Sequence, residues 1–154
     1  MNELGMLIDV SHLSDAAFYD VLKLSEQPII ATHSGVDGVL KHPRNLSDDM
    51  LKLMALNGGT VGIVFYPPHL EKSGKATTDS VVKHIDHAIQ VMGEDHVGLG
   101  SDFDGLDRPP PSGLKDASEI PNLVTALKKK GYSEARIEKI VGGNFMRTFE
   151  QVLK

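Results

Sequence analysis

The sequence predicts an α/β fold built on parallel strands, and three observations carry that expectation. Short β-branched runs alternate with amphipathic helical patterns four times along 154 residues. Repeated strand–helix–strand units demand parallel neighbours, because a parallel pair needs a crossover connection. Each predicted strand also ends in a polar or ionisable residue, as expected where strand C-termini share one working face.

Taken in order, Leu7-Ile8-Asp9-Val10 reads as the first strand. Ser14 is a suitable N-cap for the helix after it, whose apolar face is Phe18, Val21 and Leu22. Pro28 to Thr32 is the second strand. Its helix opens at Ser47-Asp48-Asp49, runs through Met50, Leu51 and Met54, and stops at Asn57-Gly58-Gly59. Thr60 to Phe65 is the third strand. Val81, Val82, Ile85, Ala88, Ile89 and Met92 then mark one face of a helix ending near Gly93. His96 to Ser101 is the fourth strand. A loop rich in Pro and Asp leads to a helix through Leu123 and Leu127 that ends at Gly131. Two helical stretches follow, one opened by Ser133 and one capped by Asn144, with Phe145, Phe149 and Leu153 expected as the buried stripe of the second.

Two architectures accommodate this order: a doubly wound open sheet and a (β/α)8 barrel. The glycines of Gly98-Leu99-Gly100-Ser101-Asp102-Phe103-Asp104-Gly105 lack the spacing of a phosphate-binding turn and lead into prolines rather than a helix, so they read as close-packing positions. A barrel needs eight units and roughly 250 residues, and four units are present. Asn2-Glu3-Leu4-Gly5 looks like the last turn of a helix before a strand, which makes the chain look cut at its front end.

Composition excludes several classes. A net charge of −5 with dispersed basic residues leaves no footprint for nucleic acid. Lys128-Lys129-Lys130 falls in a helical pattern and reads as a solvated helix end. With no cysteine there is neither a disulfide nor a thiolate metal site. No apolar run approaches the roughly 20 residues of a membrane span, and the N-terminus has no signal-peptide pattern. The default expectation is a cytoplasmic protein without a membrane segment.

The strand-end residues are His12, His33, Tyr66 and Asp102. Two histidines and an aspartate converging from distant positions suit Zn²⁺ or a similar divalent ion. Asp9 has two readings, a buried carboxylate satisfied by hydrogen bonds or a partner orienting His12. His84 and His87 are three apart on a helix, a spacing able to hold a metal, but outer helices of such folds lie away from the catalytic face. His42, His69 and His96 have no ligand partner nearby in sequence, although His42 is close to Arg44.

Asp9-Val10-Ser11-His12, Ala31-Thr32-His33-Ser34, Arg44-Asn45 and Gly100-Ser101-Asp102-Phe103-Asp104-Gly105 together resemble the membrane (renal) dipeptidase family of zinc dipeptidases, in order and in spacing. Gly143-Asn144-Phe145-Met146-Arg147 is similar to that family's final helix, so the resemblance covers essentially the whole chain. It implies that residues 1–154 form four βα units, the C-terminal half of a TIM (β/α)8 barrel with extra C-terminal helices. It also implies two zinc ions in a complete site, with His12 and His33 as ligands of one. Arg44 matches the arginine holding the dipeptide's carboxylate, a task its planar fork suits. Asp102 matches an aspartate near the metals and the substrate amino group, as proton carrier or ammonium partner. Tyr66 could line the pocket. The implied reaction is hydrolysis of a dipeptide's peptide bond. The family's His-x-Asp pair, bridging glutamate and a further histidine lie upstream of Met1 in this resemblance. The chain is therefore expected to supply part of a site, completed by the remaining half of the barrel or by a second copy. The alternatives are a non-catalytic half-barrel that self-associates as a binding module, and another metal-dependent hydrolase.

Overall fold

A computed structural model describes residues 1–153. Three strands, β1 (Ile30–Ser34), β2 (Thr60–Val64) and β3 (Val97–Gly100), form a parallel sheet in the order β1-β2-β3. Around them lie α1 (Asp15–Leu24), α2 (Asp48–Leu56), the short α3 (Pro67–Leu70), α4 (Thr78–Met92), α5 (Ile120–Lys129), α6 (Glu134–Glu138) and α7 (Asn144–Val152). The result is a parallel sheet alternating with helices and closed by extra C-terminal helices, a partial (β/α)-barrel-like arrangement.

Local chemistry explains where the helices begin. The hydroxyls of Ser14, Ser47 and Ser133 accept from the backbone N–H of Ala17, Met50 and Arg136, and Thr77 with Ser80 forms a reciprocal cap on α4. Before the first predicted strand, a single 3₁₀ turn (Asn2–Leu4) ends at Gly5, whose φ of 64° is left-handed.

The expected first strand is not one. Leu7–Val10 makes a single parallel bridge, Asp9 to Ile30, in which Val10 N–H donates to Ile30 O and Ile30 N–H to Ile8 O. The Asp9 carboxylate is the physical reason that the ladder stops there. It takes the N–H of Thr32 at 3.0 Å, the donor that would extend the pairing, and that of Ser11 at 2.9 Å, which turns the chain away after Val10. The four-strand expectation is therefore corrected to three strands and a bridged edge segment.

The stripe expected on the last helix also differs. Its buried positions are Asn144, Thr148 and Val152, while Leu153 is exposed. Asn144 does not cap α7; its amide donates to Glu94 O and Val97 O, and Thr148 shares a hydroxyl contact of 2.8 Å with Thr60. Arg147 donates to Gly58 O and Asp95 O. This polar face seals the N-terminal ends of β2 and β3, leaving their C-terminal ends for chemistry.

Gly98 is where that docking is tightest: a Cβ there would lie 2.7 Å from the Phe145 ring. Gly98→Ala should cost about 1–3 kcal/mol by overpacking, and Phe145→Leu in the same chain should recover part of it. Urea unfolding of the two variants checks this, and a Gly98→Ala chain as stable as the parent would contradict the packing described.

Candidate active site

The loops following the strands bring His12, His33, Arg44, Tyr66, His69, Asp102, Gly105 and Asp107 around one cavity of about 250 Å³. Every site residue expected from the sequence lines it, although they come from segments up to ninety residues apart.

Three backbone irregularities aim these side chains. His12, with φ 71°, and Asp102, with φ 56°, are the non-glycine residues in left-handed conformation among those described. Such conformations cost energy, and they persist where surrounding bonds fix them. The third is a break in register: Ala31 faces Val61 but Ser34 faces Ile63, so β1 carries one extra residue around Thr32 and His33. A bulge of this kind re-aims a side chain at a sheet's end.

The two imidazoles meet with their Nε2 atoms 2.9 Å apart. Behind them runs a chain of contacts whose donors can be assigned. Arg44 Nη1 has only hydrogens to give, so it donates to His12 Nδ1 at 2.7 Å. His12 then carries its proton on Nε2 and donates to His33 Nε2, which leaves His33 Nδ1 to donate to the Thr32 hydroxyl at 2.8 Å. Thr32 in turn donates to Asp9 Oδ2 at 2.6 Å. Of the two histidines, Asp9 thus orients His33, through Thr32, and not His12.

The electrostatics follow from these contacts. Burial works to raise the Asp9 carboxyl, but the Thr32 hydroxyl and the N–H groups of Ser11 and Thr32 outweigh it and hold it below the usual carboxylate range. His12 is pushed down by loss of solvent and by the Arg44 and His33 charges, against the pull of Asp102 and Asp9. Its ring is biased toward the neutral form that a metal requires.

Across the cavity, the Tyr66 hydroxyl donates to Asp107 Oδ1 at 2.9 Å, and the Arg108 guanidinium lies 5.4 Å from the Tyr66 ring centre. This pins the proline-rich loop over Tyr66. His69, on α3, has no ligand partner nearby in sequence, yet its ring lies between His42, tilted at 4.4 Å, and Tyr66, edge-on at 4.8 Å. The Tyr66-Pro67-Pro68-His69 spacing, one helical turn from a strand-end residue, is the signal in the sequence that points to it. His84 lies elsewhere, wholly buried between Val36 N–H and Leu70 O, and His87 pairs with Asp48. Neither belongs to the cavity.

Two imidazole nitrogens facing one point are of the right chemical type for zinc. No group of three or more His, Cys, Asp or Glu suited to hold a metal occurs among the described residues, so the donor set fits a partial site.

Residues 1–154 match the family described as Membrane dipeptidase (Peptidase family M19). The chain belongs to this family. Similar relatives include an uncharacterised dipeptidase of Schizosaccharomyces pombe, 39% identical over 98% of the chain and 37% of the relative, and the dipeptidase tcpJ of Claviceps purpurea, 41% identical over 99% and 36%. A metallopeptidase of Rhodobacter sphaeroides, solved with a phosphinate mimic of the dipeptide L-Ala-D-Ala, superposes with a TM-score of 0.92 at 37% identity. That match covers 98% of this chain and 44% of the solved one. The chain thus spans between about a third and somewhat over half the length of its curated relatives. The cytoplasmic location expected by default is overturned by the family's own description as membrane dipeptidase. No helix among the described residues is long and apolar enough to cross a membrane.

Proposed function

We propose that residues 1–154 are the C-terminal half of a (β/α)8 dipeptidase domain, four βα units of which the first strand is reduced to its bridge, and that they supply part of a zinc-dependent site hydrolysing dipeptides. The observation that carries this reading is the 2.9 Å approach of His12 Nε2 and His33 Nε2 at a cavity shared with Arg44 and Asp102. The dipeptide mimic bound by the Rhodobacter sphaeroides relative supports the substrate class.

In this reading His12 and His33 would hold one of two zinc ions through their Nε2 atoms, which moves the His12 proton to Nδ1 and frees Arg44 from that nitrogen. Zn²⁺ when bound would supply a water of lowered pKa and polarise the scissile carbonyl. The chain's own residues bind and orient. Thr32 and Asp9 fix the His33 ring with its Nε2 turned toward that of His12. Arg44 gives a guanidinium for the substrate's C-terminal carboxylate, which sets the length of peptide admitted. Asp102 receives the substrate's ammonium group or carries a proton toward the leaving amine. Two imidazoles fall short of the roughly four ligands of a zinc site, so the remaining half of the barrel must contribute the others.

Refolding this chain with the matching N-terminal half of the family domain tests the proposal. The complex should bind zinc and hydrolyse L-Ala-D-Ala, and neither half alone should do so efficiently. A complex that assembles and binds zinc but leaves dipeptides intact would refute it.

One observation favours a second reading, a self-associating half-barrel. Met1, Leu4 and Leu24 are exposed beside Ile8 and Val21 along the bridged edge, and uncovered apolar surface at a strand edge invites pairing. Light scattering separates the two, since a monomeric chain would exclude self-pairing.

A further inference from the structure

We infer that His69 is a specificity-determining residue, donating its Nε2–H to the same substrate carboxylate that Arg44 binds. The inference rests on the reading of Arg44 given above.

Four observations place His69 there. It lines the cavity with Arg44, Tyr66 and Asp102, and is 7% exposed. Its position is set by the loop that carries Arg44: the neighbouring Asn45 amide donates to His69 O at 2.9 Å, and Arg44 N–H donates to His42 Nδ1, whose ring lies against His69. Neither ring nitrogen of His69 has a partner among the described residues, and Nδ1 is fully buried. Arg44 Nη2 is likewise buried and unpaired.

Physical chemistry then chooses the tautomer. A buried N–H without an acceptor is rarer and costlier than a buried lone pair. The proton therefore sits on Nε2, and Nδ1 keeps the lone pair inside the wall. Loss of solvent, with the charges of His42 and Arg44 behind it, keeps the ring neutral and its pKa at about 4. A neutral donor beside a guanidinium adds a hydrogen bond to an anion without charge repulsion. A carboxylate has two oxygens, and Arg44 with His69 would engage both. An amide in the same place would present its own N–H groups to donors, so the pair selects a free C-terminus.

The test is isothermal titration of the refolded two-half complex with the phosphinate mimic of L-Ala-D-Ala and with its C-terminal carboxamide. His69→Phe should weaken binding of the acid about tenfold, the worth of one hydrogen bond to a charged group, and change the carboxamide less than about twofold. His69→Gln, which restores an N–H near the Nε2 position, should recover most of the loss, an outcome that a packing role would not produce. Zinc content should be the same in all variants. Unchanged binding of the acid by His69→Phe, with Arg44→Ala losing it, overturns the His69 assignment and leaves Arg44 standing. Unchanged binding in both variants, or no saturable binding of the acid by the parent complex, overturns both.

Discussion

Alanine at both His12 and His33 should strip zinc from the reassembled domain and take dipeptide hydrolysis with it, an affinity loss of at least about a hundredfold given that even outer contacts to zinc ligands are worth roughly 10–100-fold. The expectation rests on the two Nε2 atoms lying 2.9 Å apart with both rings held from behind. Disturbing the hold rather than the ligands should give a graded result. Thr32→Val removes the hydroxyl that joins His33 Nδ1 to Asp9 Oδ2, and it leaves both imidazoles in place. That change should weaken zinc about tenfold, within the range for such partners, and lower activity only to the extent that zinc is lost. Zinc content by elemental analysis and hydrolysis of L-Ala-D-Ala at saturating zinc read the two effects separately. A double-alanine complex that keeps its zinc would remove His12 and His33 from the ligand set, whatever its activity.

Much of this arrangement is legible in the sequence, because it follows from period and position. Alternating β-branched runs and 3.6-residue patterns give the strands and helices, and parallel topology sends every strand end to one side. That brings His12, His33, Tyr66 and Asp102 to one end of the sheet, where they line a cavity. What is not legible is local competition for backbone hydrogen bonds. Leu7–Val10 has the composition of a strand, but Asp9 takes the Thr32 N–H that the ladder would need next. On α7 the apolar periodicity of Phe145, Phe149 and Leu153 misses the most buried face: Phe145 packs on Gly98 but is only half-buried, and Leu153 is exposed. Asn144 and Arg147 donate to the strand ends, and Thr148 shares a hydroxyl contact with Thr60, so these groups pair inside rather than with solvent. His69 is obscured for a related reason. Its spacing from Tyr66 places it one helical turn past a strand end, but the Asn45 amide that fixes its carbonyl comes from a loop twenty-four residues away, a contact that spacing does not encode. The left-handed turns at His12 and Asp102 are equally silent in sequence, since neither residue is a glycine.

The second large effect should appear in stability rather than catalysis, at His84. This ring is wholly buried in α4 and joins the two loops that carry the site: its Nδ1 accepts from Val36 N–H at 2.9 Å, after β1, and its Nε2 donates to Leu70 O at 3.2 Å, after β2. Val36 and Leu70 are themselves buried. His84→Leu fills the space but orphans one donor and one acceptor, a loss of about 2–4 kcal/mol at the ordinary cost of unpaired buried groups. The same ring makes the fold sensitive to acid. Burial pushes its pKa down from 6.5 to about 4, against the hydrogen bond to Leu70 and the Glu71 charge, and with the help of His87 and Lys83. Between those two values the unfolded chain binds a proton that the folded chain refuses. Stability is therefore complete above pH 6.5 and drains away as the pH falls toward 4, by about 3 kcal/mol at about 1.4 kcal/mol per unit. His69, also held at about 4, adds to the slope in the same direction. Urea unfolding of the chain at about pH 7 and about pH 4.5 should show the parent losing several kcal/mol. His84→Gln, which keeps a donor and an acceptor but does not titrate, should lose markedly less. Equal slopes in the two proteins would mean that His84 is not the group that senses acid. A leucine variant as stable as the parent at neutral pH would mean that the two loops are held together by something other than this ring.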